Sequence, residues 1–297
     1  MELQGSEKGL PLKTEKPQPH GRYSWWQRLK AWLRPENVPE FWDKTGSLIC
    51  EGCRRAYPLA GFQPLTMESC PQCGDLIFVP MKIDDFWLME PLGSGGMGSV
   101  YKAWHPDYED QYLAVKIAPR FNTAANLRPN LIREIETLRA IGFHPAIANL
   151  VFAKEDPEQP YMVTHFIDGE RLDLRIRRLG KLSEEEVLLT ALTLLSALAF
   201  IYQCGFLYRD LKPQNIIVTE EGPCLIDFGI CRSIRELDRM PEPSVEGSAL
   251  YCPPERMRQE KEGPWSEIYS LGMVMYHALA GAPYVTARDI ETITALN

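Results

Sequence analysis

Between Leu92 and Val100 the chain reads Leu92-Gly93-Ser94-Gly95-Gly96-Met97-Gly98-Ser99-Val100, with four glycines in nine positions. Each glycine inside a helix costs about 1 kcal/mol against alanine, so this run is not helix interior. The flanking stretches Phe86–Leu92 and Ser99–Trp104 are rich in aromatic and branched residues and read as strands. A Gly-x-Gly-x-x-Gly pattern alone is weak, because dinucleotide-binding turns share it. In those turns the glycines open a helix, whereas here Ser99-Val100-Tyr101-Lys102-Ala103-Trp104 continues as a strand. The expectation is a glycine-tipped hairpin that lets backbone N–H groups approach phosphate oxygens with no Cβ in the way.

Along the chain the pattern changes from strands to helices. Strand candidates are Phe86–Leu92, Ser99–Trp104, Tyr112–Ile117 and Tyr161–Phe166; helix candidates are Asn130–Ile141, Ser183–Gln203 and Trp265–Ala280. This segregation predicts an α+β arrangement, a small sheet-rich lobe followed by a helical one. Ser183-Glu184-Glu185-Glu186 reads as a capping box, with Ser183 accepting from the Glu186 N–H and acidic groups at the positive end of the helix dipole. Val187 to Tyr208 holds no charged residue over 22 positions, long enough to cross a bilayer. Thr190, Thr193, Ser196, Tyr202 and Gln203 dilute it, so the expectation is a helix buried on most faces and no membrane span.

The first residues are polar and hold no apolar core of signal-peptide length, so no export is expected. Trp25, Trp26, Trp32 and Leu33 among Arg28, Lys30 and Arg34 suggest a short amphipathic helix docked on the parent fold. The expected division is a flexible tail with this segment over 1–40, a cysteine-bearing unit over 41–80, the sheet-rich lobe over 83–168 and the helical lobe over 169–297.

Eight cysteines in 297 residues are too sparse for a disulfide scaffold, and four of them form two pairs. Cys50-Glu51-Gly52-Cys53 and Cys70-Pro71-Gln72-Cys73-Gly74 are 16 residues apart, a spacing at which two tight turns aim four thiolates at one tetrahedral ion. A segment this short has too little apolar material for its own core, which favours a structural Zn2+ in a zinc ribbon over a redox dithiol. Gly52 and Gly74 are expected to ease the turns. Cys204, Cys224, Cys231 and Cys252 have no partner spacing and read as small semi-buried residues.

Ala114-Val115-Lys116-Ile117 lies on the strand after the glycine hairpin, and Glu134 follows Lys116 by 18 residues in the helical Arg133-Glu134-Ile135-x-x-Leu138. Tyr208-Arg209-Asp210-Leu211-Lys212-Pro213-Gln214-Asn215 joins a carboxylate to a lysine two positions on and an amide five positions on. Asp227-Phe228-Gly229 comes after the apolar Cys224-Leu225-Ile226. On these motifs the chain from about Ile83 to its end resembles the eukaryotic-like Ser/Thr protein kinase family in its bacterial form.

The resemblance implies a two-lobed protein-kinase fold that uses ATP and Mg2+ and acts on Ser/Thr hydroxyls of proteins. The lid Leu92 to Val100 and Ala114 would then border the nucleotide, with Lys116 on its α- and β-phosphates and Glu134 holding Lys116. Asp210 would orient and deprotonate the incoming hydroxyl, Lys212 would neutralise the γ-phosphate, and Asn215 and Asp227 would hold Mg2+. Gly247-Ser248-Ala249-Leu250-Tyr251-Cys252-Pro253-Pro254-Glu255 is similar to the end of the family's substrate-controlling segment, where Ser248 would bridge Asp210 and Lys212. Arg209 is expected to capture a phosphate on that segment, with Ser233 and Ser244 as candidate acceptors.

Three features depart from the family pattern. Tyr208 stands where His is usual; its ring is expected to stack on Phe228 in an apolar column with Leu138 and Leu150. Glu267, in Ser266-Glu267-Ile268-Tyr269-Ser270-Leu271-Gly272, stands where Asp is usual and reaches one methylene further. Only 42 residues follow Glu255, so the helical lobe lacks its last helices and Glu255 has no visible partner; the chain is expected to be a fragment or to need another chain.

With 32 basic and 40 acidic residues the net charge is −8, the wrong sign for a chain that mainly grips nucleic acid. The leading expectation is a cytoplasmic, autophosphorylating Ser/Thr protein kinase with an N-terminal zinc ribbon. The alternative is a nucleotide-binding pseudokinase or scaffold, suggested by Tyr208, Glu267 and the short end.

Overall fold

The computed structural model describes residues 47–95, 98–108, 111–118, 127–156, 159–237 and 248–284. The amphipathic segment around Trp25 to Arg34, Gly96, Met97 and Ser244 lie outside the described residues. Two antiparallel hairpins come first: β1 (Ser47–Ile49) with β2 (Ala56–Pro58), and β3 (Met67–Ser69) with β4 (Leu76–Phe78). Leu48, Ile77, Val79, Cys50 and Cys70 make up their buried core. Leu65 and Phe78 continue this unit onto the core of the following sheet.

That sheet is antiparallel, six-stranded and ordered β5-β6-β7-β8-β10-β9. Its strands are β5 (Met81–Ile83), β6 (Phe86–Gly95), β7 (Gly98–Trp104), β8 (Leu113–Ile117), β9 (Leu150–Lys154) and β10 (Tyr161–His165). β6 and β7 form the expected hairpin, with Gly93 opposite Val100, Ser94 opposite Ser99 and Gly95 opposite Gly98. Gly98 is required sterically: its φ is +121°, and a Cβ there would come within 2.6 Å of the Ile117 carbonyl oxygen.

Period-two alternation divides β8. Leu113, Val115 and Ile117 join Tyr101, Ala103, Tyr161 and Val163 in one buried core. Ala114 and Lys116 therefore face the other way, and Lys116 pairs with Val100 on one neighbour and Met162 on the other. Helix α1 (Leu127–Ile141) begins before the expected Asn130, because Pro129 is tolerated in a first turn where its N–H has no helical partner. Its Leu131, Ile135 and Leu138 face a second core.

The C-terminal part contains α2 (Leu172–Leu179), α3 (Glu184–Gln203), α4 (Ile234–Leu237), α5 (Pro254–Met257) and α6 (Pro264–Ala280). Short strands β11 (Glu170–Arg171), β13 (Ile216–Thr219) and β14 (Gly222–Leu225) form a three-stranded sheet, and β12 (Phe206–Leu207) pairs with β15 (Arg232–Ser233). Ser183 caps α3 as expected, its hydroxyl accepting from the Glu186 N–H at 3.2 Å. By length and hydropathy α3 is apolar enough to cross a bilayer. Here it packs on α6 and β14, and the expectation of burial on most faces is corrected. Val187, Thr190, Leu194, Ala197, Leu198 and Ile201 are buried, while Leu188, Leu189 and Leu192 are each more than half exposed.

Of the elements that escaped the sequence reading, α2 and β9 are the longest. In α2 only Leu172, Asp173 and Ile176 are buried, and the remaining positions are mostly arginines, so its apolar stripe is one turn long. β9 lies at the sheet edge, where its alternation is blurred by partly exposed positions on both faces.

Leu194 is fully buried in the core that includes Val274 on α6. Leu194→Ala should lower unfolding stability by about 2–5 kcal/mol, against less than about 0.5 kcal/mol for Leu189→Ala, read from urea midpoints.

Candidate active site

The core under the sheet brings Lys116, Glu134 and Asp227 together from β8, α1 and the turn after β14. Lys116 Nζ donates to Glu134 Oε2 at 2.7 Å and to Asp227 Oδ1 at 2.8 Å. Glu134 is almost fully buried, and its other oxygen accepts the Phe228 backbone N–H at 3.1 Å. One carboxylate therefore ties helix α1 both to the strand lysine and to the Asp-Phe-Gly turn. Burial opposes charge on Lys116, but the two carboxylates outweigh it and hold the ammonium well above its ordinary value.

Below this cluster, Tyr208 stacks edge-on against Phe228 with ring centroids 5.0 Å apart. Its hydroxyl donates to the Ile226 carbonyl at 2.6 Å, so the ring keeps a polar anchor as well as the stacking. Leu138 is buried in the same core and Leu150 packs against it. Burial, with the nearby Asp210 and Asp227 charges, keeps the phenol well above its ordinary value and therefore a donor.

The catalytic-loop candidates converge on one oxygen. Asp210 Oδ2 accepts from Lys212 Nζ at 2.8 Å and from Asn215 Nδ2 at 2.7 Å, and Asn215 also donates to the Asp210 carbonyl at 3.0 Å. Asp210 Oδ1 takes no hydrogen bond among the described residues. The 3-10 turn Pro213–Asn215 and the pairing of Ile216 with Leu225 place Asn215 beside the turn that carries Asp227. Arg209 and Asp227 have φ of 70° and 64°, a left-handed conformation costly for residues with a side chain.

Two expectations for the segment after Gly229 are corrected, and Arg209 has a partner of its own. Ser248 does not bridge Asp210 and Lys212: those two bond directly, and Ser248 instead opens a turn in which its carbonyl accepts the Tyr251 N–H at 3.0 Å. Glu255 does have a partner, the Ser266 hydroxyl at the start of α6. Arg209 is already engaged, Nε and Nη2 donating to Glu262 Oε1 at 3.1 and 2.8 Å. Arg256 takes the other oxygen of Glu262, at 2.8 Å from Nε, and also donates to the Arg209 carbonyl. Glu267 Oε1 accepts the Arg209 N–H at 2.8 Å, so the longer side chain still reaches the loop. Among the described residues its Oε2 is buried without a hydrogen bond, and burial pushes this carboxyl up. Ser233 caps α4, its hydroxyl accepting the Glu236 N–H at 3.2 Å. Sequence reasoning missed Arg256 and Glu262, and no spacing rule singles them out.

The two cysteine pairs sit on the turns of the first two hairpins. Arg54 N–H bonds the Cys50 carbonyl at 2.8 Å and Gly74 N–H the Cys70 carbonyl at 2.9 Å, so both turns close alike. Gly74 has φ +81°, the conformation for which glycine suits that turn. The four Sγ atoms lie within 4.8 Å of one another, with Cys50 to Cys73 at 3.5 Å and Cys53 to Cys70 at 3.7 Å. A tetrahedral ion with Zn–S bonds of about 2.3 Å would space its sulfurs roughly 3.8 Å apart, so the donor set fits such an ion. Tyr57 Oη lies 3.3 Å from Cys70 Sγ. Cys224, Cys231 and Cys252 are buried and Cys204 half-buried, apart from this cluster.

The fold and the Lys116, Asp210 and Asp227 geometry define a class, and the comparisons agree with it. The profile of the protein kinase domain matches residues 86–297, and the chain belongs to that family. It is 33% identical over 217 residues to the probable serine/threonine-protein kinase PkwA of Thermomonospora curvata, covering 73% of this chain and 29% of that protein. It is 32% identical to the serine/threonine-protein kinase AfsK of Streptomyces griseus, covering 73% and 27%, and 31% identical to serine/threonine-protein kinase 36 of Pongo abelii, covering 72% and 16%. The chain thus spans less than a third of the length of these curated relatives.

Burial pushes the Asp227 carboxyl up, yet the Lys116 ammonium outweighs it, and the net direction is downward from 3.8. A depressed carboxyl contributes stability that is complete above its unfolded value and is lost as pH falls through the lower folded value. Urea midpoints of wild type and Asp227→Asn, both without nucleotide, should therefore differ at about pH 6 and converge toward about pH 3. A gap that stays constant over this range would contradict the pairing.

Proposed function

We propose that residues 83–297 transfer the γ-phosphoryl group of Mg-ATP to Ser/Thr hydroxyls of proteins, and that the four-cysteine unit holds a structural Zn2+. The observation that carries the first reading is the Lys116 ammonium clasped between Glu134 and Asp227 at 2.7 and 2.8 Å, in a chain of the protein kinase family. Lys116 places one fixed positive charge where the glycine hairpin and β8 meet, suited to the α- and β-phosphates. Asp227 and Asn215 would hold Mg2+, which when bound supplies charge neutralisation at the phosphates.

Asp210 is arranged for a proton. Its Oδ2 is held by Lys212 and Asn215, which leaves Oδ1 to accept the hydrogen of an incoming hydroxyl. As that oxygen bonds to the γ-phosphorus, the bond from phosphorus to the bridging oxygen of ADP breaks, and Lys212 sits next to the charge that moves. The scaffold alternative draws on Tyr208, Glu267 and the short end. Tyr208 keeps both stacking and an anchor, and Glu267 keeps the Arg209 N–H, which favours the enzyme.

Four thiols with fitting separations and a core of five buried residues support the zinc reading, in which metal binding supplies the folding energy of the hairpins. The two Cys-x-x-Cys pairs, read as metal ligands, suit a reducing compartment, and a cytoplasmic location is part of the proposal.

Two assays test these readings. With γ-labelled ATP and a generic basic protein, Asp210→Asn and Lys116→Met should each lower phosphate transfer by at least about a hundredfold. Transfer by either variant at the wild-type rate would reject the enzyme. Purified wild type should carry one Zn2+ per chain by elemental analysis, and Cys70→Ser should lose it; a metal content that ignores the substitution would reject the ribbon.

A further inference from the structure

The residue before Asp210 is held at three points by one short stretch of chain. The Arg209 N–H is bonded by Glu267, its carbonyl by Arg256, and its guanidinium by Glu262. Glu262 lies between two guanidinium groups, Oε1 on Arg209 and Oε2 on Arg256 at 2.8 and 2.6 Å. All three side chains are at most 6% exposed, so the cluster is shielded from water and from salt. Breaking a buried pair from one side leaves an uncompensated charge, which makes this arrangement stiff.

That stiffness has a target. Arg209 is held at φ 70°, which costs free energy unless its surroundings impose it, and Asp210 follows it directly in the chain. Arginine before the catalytic carboxylate invites capture of a phosphate on the segment that follows Gly229, since guanidinium and phosphate pair strongly. Here that guanidinium already pairs with an internal carboxylate. The one described candidate acceptor, Ser233, has its hydroxyl oxygen accepting the Glu236 N–H at the start of α4.

We propose that Glu262, with Arg256, is a positioning residue for Asp210: it supplies from within the chain the anion that fixes Arg209, so the catalytic loop is set without phosphate on the segment 230–255. The inference rests on the kinase reading above and concerns how that same site is regulated. Its chemistry is a charge-assisted fork between Arg209 and a carboxylate fixed by Arg256. The pair contacts no reacting atom, and its effect passes through the backbone of the catalytic loop.

The test uses the full chain, dephosphorylated, with the 230–255 peptide verified as unmodified by mass spectrometry. Initial rates on an exogenous protein substrate are measured for wild type, Ser233→Ala/Ser244→Ala, Glu262→Gln and Glu262→Asp. The dephosphorylated wild type should transfer phosphate from the first time point without a lag, and the double serine variant should stay within about twofold of it. Because small displacements of a catalytic group cost up to roughly a hundredfold, Glu262→Gln should lower kcat at least about tenfold while KM for ATP moves less than about threefold. Glu262→Asp should recover part of kcat. A lag that ends as phosphate appears on the segment, a silent double serine variant beside an active wild type, or a Glu262→Gln chain with wild-type kcat would each overturn the proposal. If Glu262→Gln does not fold, the lag and the double serine variant still decide. A wild type inactive in every phosphorylation state would instead reject the kinase reading, and the inference with it.

Discussion

A carboxylate as buried as Glu134 must be paired, because an isolated charge in the interior costs several kcal/mol. Its two oxygens are used for different partners, the Lys116 ammonium and the Phe228 backbone N–H. Helix α1, strand β8 and the Asp-Phe-Gly turn are therefore positioned by one group. Moving α1 outward would strand Glu134, leave Lys116 with Asp227 alone, and release the turn that carries the metal-ligand candidate. Leu138, Phe228 and Tyr208 are buried in one core with Leu150 packed against it, and Tyr208 adds a hydrogen bond to the Ile226 carbonyl just before Asp227.

A second polar set governs the loop with Asp210. At the site two non-glycine residues, Arg209 and Asp227, hold left-handed backbone, and each such residue costs on the order of 1–3 kcal/mol unless its neighbours impose it. For Asp227 the imposing contacts are Lys116 and the Gly229 N–H. For Arg209 they are Glu267, Arg256 and Glu262. The loop with Asp210 thus depends on the stretch from Glu255 to Glu267, and the Glu255 to Ser266 bond closes that stretch on itself. Substitution of Asp by Glu at 267 is accommodated by the side chain, with one carboxylate oxygen reaching the Arg209 N–H.

Most of the site was legible in the sequence because its chemistry is carried by short motifs whose spacing is fixed by local structure. Asp210, Lys212 and Asn215 lie within one turn of each other, and strand alternation alone puts Lys116 on the opposite face from Val115 and Ile117. Lys116 and Glu134 were paired through resemblance, and the fold brings them to 2.7 Å. What stayed hidden depends on distant pairs or on edges. Glu262 meets Arg209 across 53 positions, a pairing that no periodicity encodes. Helix α2 shows one turn of apolar residues among arginines, and the exposed leucines of α3 carry the same hydropathy as its buried ones, so burial could not be assigned to a face. Asp210 and Lys212 bond each other directly, with no bridge from Ser248 among the described residues.

The central claim is that Lys116 and Asp227 face one cleft built for a metal-bound triphosphate. A crystal structure with Mg2+ and a non-hydrolysable ATP analogue tests it most directly. The account predicts that Lys116 keeps Glu134 and exchanges Asp227 for α- and β-phosphate oxygens. It also predicts Asp227 and Asn215 oxygens at about 2.0–2.1 Å from Mg2+. Nucleotide bound away from Lys116, or Mg2+ bound without Asp227, would contradict it.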